Sequence, residues 1–242
     1  PTGLALPGDV GGANAAHFFT EMTSLDGAAM AAKYARAHRS RGGGVWMGIR
    51  QDEPHRLTSH TVPYAEVSAY AADMLAAIAN GSAPVVACIP QPSPLSERFL
   101  SNLFREITAR APLLAGATGT LTHVALHWSE ATRDMHKPED APVAAHESNG
   151  QTVYWQGLRG MFEMLHRSQL LVDMVFDAQI TERDLAPYSV LVLSNSACLS
   201  GAQCQAIQAW TAAGGTLVAT AETSALDNTG QATGSAGLSE VF

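Results

Sequence analysis

The sequence predicts an α/β fold built on parallel strands, and three observations carry that expectation. Near the carboxyl end, Val190-Leu-Val-Leu-Ser-Asn-Ser-Ala-Cys-Leu-Ser200, followed by Ala213-Gly-Gly-Thr-Leu-Val-Ala-Thr-Ala-Glu-Thr-Ser224, spells strand, helix, glycine stop, strand. The first half of the chain repeats a strand-then-helix rhythm. Its strands are short continuous apolar runs bounded by polar residues, the pattern expected where helices cover both faces of a sheet.

Taken in order, His17 to Thr20 is a short strand ending at Glu21, and alanine-rich 28–38 is a helix whose Met30 and Tyr34 share a face. After the Gly42-Gly-Gly44 break, Val45 to Ile49 is a second strand, followed by a long loop over 50–61. The helix over 63–79 repeats Val67, Tyr70, Ala71, Met74, Leu75 and Ile78 at three- and four-residue steps and stops at Asn80-Gly81. Val85 to Ile89 is the third strand, and a helix from Pro94 to Arg110 buries Phe99, Leu103 and Ile107. Residues 111–119 read as a linker. In the second half, Ser200 with Gln203 three places on forms a capping box, and Cys204, Ile207 and Trp210 give the helix one apolar side. Gly214-Gly215 ends that helix, and the strand from Leu217 to Ala219 follows.

Three βα units with long loops after their strands suit part of a (β/α)8 barrel, whose functional groups gather at the carboxyl ends of the strands. Closure needs eight strands, so residues 1–115 are expected to be the C-terminal portion of such a barrel, with residues 120–242 a second α/β domain. On this reading the chain is the later portion of a longer enzyme.

Composition narrows the function classes. With 242 residues and 46% apolar side chains the chain is long enough for a packed core. A net charge of -8, with basic residues clustered only over 36–41, argues against nucleic acid or an anionic membrane as partner. No stretch approaches the roughly 20 uninterrupted apolar residues that span a bilayer. Cys88, Cys198 and Cys204 show no metal-site or disulfide-framework spacing and read as small buried hydrophobes. That leans toward a reducing, cytoplasmic compartment, although periplasmic proteins share this composition.

Chemistry at a barrel mouth needs polar groups at strand ends. Glu21 directly follows the first strand, and Asp52 and Glu53 stand in the same relation to the second, which makes these three the candidate carboxylates. The plainer readings are a local ion pair or helix cap for Glu21 and a solvated loop for Asp52 and Glu53. Arg50, His55 and His60 lie in the loop after the second strand, with Trp46 close by. An aromatic ring and a planar guanidinium suit a sugar face and its hydroxyls, and an ordinary polar loop is the alternative. His55 and His60 lack a third ligand, so no metal is expected, and no cofactor is implied. Cys198 lacks both the Gly-x-Cys-x-Gly elbow and an activating base, and Gly157 to Gly160 lies inside a helical pattern rather than a phosphate loop.

The carboxyl-terminal run, together with Val124-Ala-Leu-His-Trp-Ser-Glu-Ala-Thr132, Gly157-Leu-Arg-Gly-Met-Phe-Glu-Met-Leu-His166 and Val172-Asp-Met-Val-Phe-Asp177, resembles the trimerisation domain of β-galactosidases of glycoside hydrolase family forty-two. It resembles more closely the matching domain of glycoside hydrolase-like proteins related to α-L-fucosidases. A looser likeness to the latter covers the first half, through the strand ending in Glu21, the Arg50 loop, Ala77-Ile-Ala-Asn-Gly81 and Glu106-Ile-Thr-Ala-Arg-Ala-Pro112. The resemblance implies a flavodoxin-like, class I glutamine amidotransferase-like three-layer domain with a structural role, a carbohydrate substrate and a homo-oligomer, a trimer. It also implies that His127, Trp128 and Ser129-Glu130 stand at a strand end facing a barrel mouth, of their own or a neighbouring subunit; packing an interface is the more frequent alternative for such residues. Glycosidic cleavage by a pair of carboxyl groups is the expected reaction. A noncatalytic amidotransferase-like module is the alternative.

Overall fold

The structure, a computed structural model, describes residues 15–20, 29–30, 33–34, 37, 44–49, 71–72, 75–76, 78–80, 83–86, 94–115, 121, 123–136, 151–234 and 237–241. The chain divides into two compact units, Pro1–Thr120 and Leu121–Phe242.

In the first unit, β1 (Ala15–Thr20), β2 (Gly44–Ile49) and β3 (Ala83–Val86) form a parallel sheet in chain order. Each strand neighbours the next through a crossover, which is the connectivity of a barrel wall. Thr20 pairs with Ile49, so β1 and β2 end at the same level. Described residues at 29–30, 33–34 and 37 are helical between β1 and β2, and Met30 and Tyr34 are both buried, as the periodicity predicts. Between β2 and β3 the helical residues Ala71 and Ile78 are half-buried, but Leu75 is 48% exposed. The apolar stripe therefore exceeds what the described part of the unit covers.

Helix α1 (Pro94–Ala115) runs one turn past the expected end at Arg110, into the stretch expected as a linker. Pro112 costs it the bond to residue 108, and the strong helix formers Leu113 and Ala115 carry the turn on. Phe99, Leu103 and Ile107 are half-buried along one side.

The second unit comprises β4 (Val124–Trp128), α2 (Glu130–Met135), α3 (Gln151–Arg167), β5 (Val172–Phe176), a 3-10 turn (Asp177–Gln179), α4 (Glu182–Leu185), β6 (Val190–Leu193), α5 (Gly201–Ala212) and β7 (Thr216–Ala219). Its sheet is parallel throughout in the order β5-β4-β6-β7. The chain leaves β4 to one side and returns to the other, which makes the carboxyl ends of β4 and β6 a topological switch point.

Period-two alternation assigns the two faces. Ala125, Val175, Leu191 and Leu193 pack with Cys204, Ile207 and Trp210 of α5 in one buried cluster. Trp128 points the other way, edge-on to Tyr154 and Trp155 of α3 and tilted against Phe176. Helix α3 thus covers one face and α5 the other, giving three layers. Ser200 and Gln203 form the expected capping box, worth about 1 kcal/mol to α5. Gly214, at φ +105, ends the helix where a side chain would be strained. Gly157 and Gly160 lie inside α3.

Candidate functional site

The expected catalytic carboxylates Glu21, Asp52 and Glu53, and the expected sugar-binding Arg50, His55 and His60, lie outside the described residues. Trp46 lies in β2, where only its backbone is described. The described polar constellation is in the second unit, at the carboxyl ends of β4, β5 and β6, where the sheet switches direction.

His127 is the fourth residue of β4 and fully buried on the α5 side of the sheet. Its Nε2 lies 3.0 Å from Asp177 Oδ1, and its Nδ1 lies 2.9 Å from Ser196 Oγ. A carboxylate only accepts, so Nε2 carries the proton, and in the neutral ring Nδ1 accepts from the serine hydroxyl. Asp177 opens the turn after β5, with its side chain 20% exposed, and Ser196 follows β6 with none of its surface exposed. One ring thereby ties three strand ends together.

The surrounding bonds fix this arrangement. Asp177 Oδ2 accepts the Ala131 N–H of α2 at 3.0 Å, and Gln203 Nε2 donates to the Asp177 carbonyl at 2.9 Å. The capping glutamine of α5 is therefore also a clamp on the β5 turn. Ser129 caps α2 by accepting the Thr132 N–H, its own N–H donates to Tyr154 Oη at 2.7 Å, and the Cys198 N–H donates to Thr132 Oγ1 at 3.0 Å. Burial pushes the Tyr154 hydroxyl well above its usual pKa, so it stays protonated.

His127, Trp128 and Ser129 are buried, and the hydrogen-bond partners of His127 and Ser129 belong to the second unit itself. Ser-Glu at this strand end starts a helix.

A Ser-His-Asp chain of this kind invites comparison with hydrolytic triads, but it lacks their access. Ser196 is shut off from solvent, and the ring presents Nδ1 rather than Nε2 to the hydroxyl. Cys198 is buried as well, and burial pushes its thiol pKa up, away from the nucleophilic thiolate. The strained turn after β6 holds Asn195, at φ +50, where an elbow would carry its nucleophile. Its N–H donates to Thr220 Oγ1 and its side-chain oxygen accepts the Glu222 N–H, so the residue stitches the loops after β6 and β7. The constellation is a structural lock.

Asp177 makes the lock acid-sensitive. Burial raises its pKa, but the hydrogen bond from His127 and the N–H groups of Ala131 and Glu130 outweigh this and hold it below its ordinary 3.8. A group depressed on folding stabilises fully above its unfolded pKa and loses that contribution as the pH falls through the folded value. Urea titrations between about pH 6 and about pH 3 should therefore show unfolding free energy falling toward acid, with a shallower fall for Asp177→Asn. Equal slopes would remove Asp177 from the acid response.

Among the described residues, no three His, Cys, Asp or Glu side chains are grouped to hold a metal, and no helix is long and apolar enough to cross a membrane. Cys198 and Cys204 are free and buried.

Parallel strands in an open arc, followed by a three-layer sheet with a switch point, define a parallel α/β chain of barrel-plus-domain type. Solved structures to which the chain is similar in fold include glycoside hydrolases. The chain is similar to a β-galactosidase from Rahnella sp. R3 (TM-score 0.58, 18% identity, 86% of this chain and 32% of that one). It is also similar to a GH42 β-galactosidase from G. stearothermophilus (TM-score 0.55, 17% identity, 86% and 32%). An α-L-fucosidase isoenzyme from Paenibacillus thiaminolyticus matches at TM-score 0.50 and 19% identity over 84% of this chain and 28% of that one. The chain thus spans about a third of the length of these structures. A match over 86% of the chain exceeds either unit alone, so the likeness draws on both. No family model and no curated protein sequence matches the chain. The kinship in fold is the one its motifs imply.

Proposed function

We propose that the chain is part of a glycoside hydrolase that cleaves a glycosidic bond with paired carboxyl groups, of β-galactosidase-like or α-L-fucosidase-like preference. The observation that carries this reading is the fold likeness to β-galactosidases and an α-L-fucosidase across both units. In this reading the first unit supplies strand-end groups to the sugar site: Glu21, Asp52 and Glu53 as carboxylates, with Trp46, Arg50, His55 and His60 around the substrate. No cofactor or metal takes part. The second unit is the noncatalytic part, with its one ordered Ser-His-Asp chain buried and locked, and it serves assembly of a homo-oligomer, a trimer. A monomeric mass in sedimentation would count against that last role.

The test is turnover of nitrophenyl galactosides, fucosides and mannosides by the intact protein, with Glu21→Gln as comparison. Hydrolysis of one of these, reduced about a hundredfold or more in the variant, is the expected result, since general acid–base groups contribute on that scale. Unchanged turnover removes Glu21 from the mechanism.

A second reading, a noncatalytic amidotransferase-like structural module, draws on the burial of Ser196 and Cys198 in the turn after β6, where a fold of that kind would carry a nucleophile. It predicts no turnover with any member of the panel.

A further inference from the structure

We propose that a cleft on the second unit, between α5 and the segments over 224–234 and 237–240, binds a neutral polyhydroxylated ligand of monosaccharide size. The cleft has a volume of about 350 Å³. Gly201, Cys204, Gln205 and Gln208 line it from one side of α5, at the three- and four-residue spacing of a single helical face. Asp227 and Glu240 line it from the loop.

The walls are tied to one another. Gln208 Nε2 donates to the Gly237 carbonyl at 3.3 Å, the Gly237 N–H donates to the Ser224 carbonyl at 3.0 Å, and the Leu238 N–H donates to Ser224 Oγ at 3.2 Å. A Cβ on Gly237 would lie 2.7 Å from Cys204 Sγ, so the loop approaches the helix as closely as glycine permits. Asp227 is fixed by three bonds to its Oδ1, from the Thr229 N–H, Thr229 Oγ1 and the Gln231 N–H.

The lining selects the ligand by elimination. Two carboxylates with no Lys, Arg or His among the lining residues exclude an anion. A bare metal ion finds no group of three ligands among the described residues. A flat apolar ligand finds no aromatic wall. Carboxylates that accept and glutamine amides that both donate and accept match hydroxyl groups, which do both. An organic cation would meet the charges of Asp227 and Glu240 and is the rival occupant, which the titration below distinguishes from a neutral ligand. The volume stands at the small end of ligand sites, which sets the size at one sugar ring. The choice of a sugar among polyols rests on the glycoside hydrolase reading; the cleft does not.

The test follows backbone amide NMR shifts of the full chain on titration with D-galactose, L-fucose and D-mannose. Expected are saturable shifts at Gly201, Gln205, Gln208 and Gly237 for at least one sugar, with a millimolar Kd, about 4 kcal/mol, as suits a site without a stacking ring. Gly201→Phe is the blocking variant, because Gly201 lines the cleft and a Cβ there meets no atom within 4 Å, which leaves room for a bulky side chain at the cleft wall. It should weaken binding at least about tenfold with an unchanged circular dichroism spectrum. Gln205→Ala, at an exposed position, should weaken binding severalfold and carries the test if Gly201→Phe folds poorly. The proposal is overturned by the absence of saturable shifts at these amides, or by shifts that both variants leave unchanged. Shifts produced by tetramethylammonium in place of sugar and lost in Glu240→Gln would overturn it too. Nitrophenyl glycoside turnover, measured in parallel, separates the two readings: turnover without cleft shifts sinks the cleft alone, and cleft shifts without turnover leave it standing while the hydrolase reading fails.

Discussion

His127→Ala is expected to destabilise the second unit by about 3–4 kcal/mol, measured as the loss of unfolding free energy in urea. The substitution removes a buried ring and leaves the Ser196 hydroxyl shut off from water without its acceptor. An unsatisfied buried hydroxyl costs about 1–3 kcal/mol, and a lost hydrogen bond to a charged group costs about as much. Asp177 keeps the Ala131 N–H, which limits the loss to the lower half of the range for a broken buried pair. Two further variants divide the effect. His127→Asn retains an acceptor near the place of Nδ1 and should recover the Ser196 bond, whereas His127→Gln reaches toward Asp177. If all three variants unfold within about 0.5 kcal/mol of the parent, the three strand ends are not held by this ring.

Trp210→Ala is expected to cost about 3–5 kcal/mol, and its coupling to Gly215 is the more informative result. Trp210 lies in the buried cluster under β6, and a Cβ built on Gly215 would come within 2.4 Å of its ring. Gly215→Ala must therefore displace the indole or the backbone, at about 1–3 kcal/mol. Once the ring is gone the extra methyl has room. The double variant should thus be less destabilised than the sum of the singles, by about 1 kcal/mol or more in a double-mutant cycle. Additive losses would mean that Gly215 is required for its backbone alone.

That pair also shows what local sequence conveys and what it omits. Gly214-Gly215 is legible as a helix stop, and Gly214, at φ +105, fills that role. Gly215 is glycine for a ring five residues earlier, which no turn signal announces. The capping box at Ser200, the buried Cys204, Ile207 and Trp210, and the parallel strands were all readable, because each depends on spacing within a few residues. Helix α1 outran its expected end because proline reads locally as a helix stop, whereas Pro112 in the last turn forfeits one backbone hydrogen bond and the helix continues to Ala115.

The lock around His127 was not readable as a unit. Its members are separated by 50 and 69 residues, and only the sheet order brings them together. A faint signal was present: a histidine inside an otherwise apolar strand, an aspartate directly after the next strand, and a serine shortly after the third. Polar residues at three strand ends on one side of a switch point are the pattern to look for. The carboxylates expected in the first unit rest on strand-end position, a local property; they lie outside the described residues, and the turnover of Glu21→Gln tests the first of them.

The strand order has a consequence for motion. β4 is bonded on both sides and wholly buried, whereas β7 is bonded only to β6 among the described residues, with Val218 41% exposed. Amide protons of β4 should be the last to trade with deuterium in heavy water, and those of β7 the first among the four strands of this sheet. The domain then frays from its rim inward, and β4 keeps time for the whole: its exchange rate reports global opening, and β7 reports only the loosening of one border.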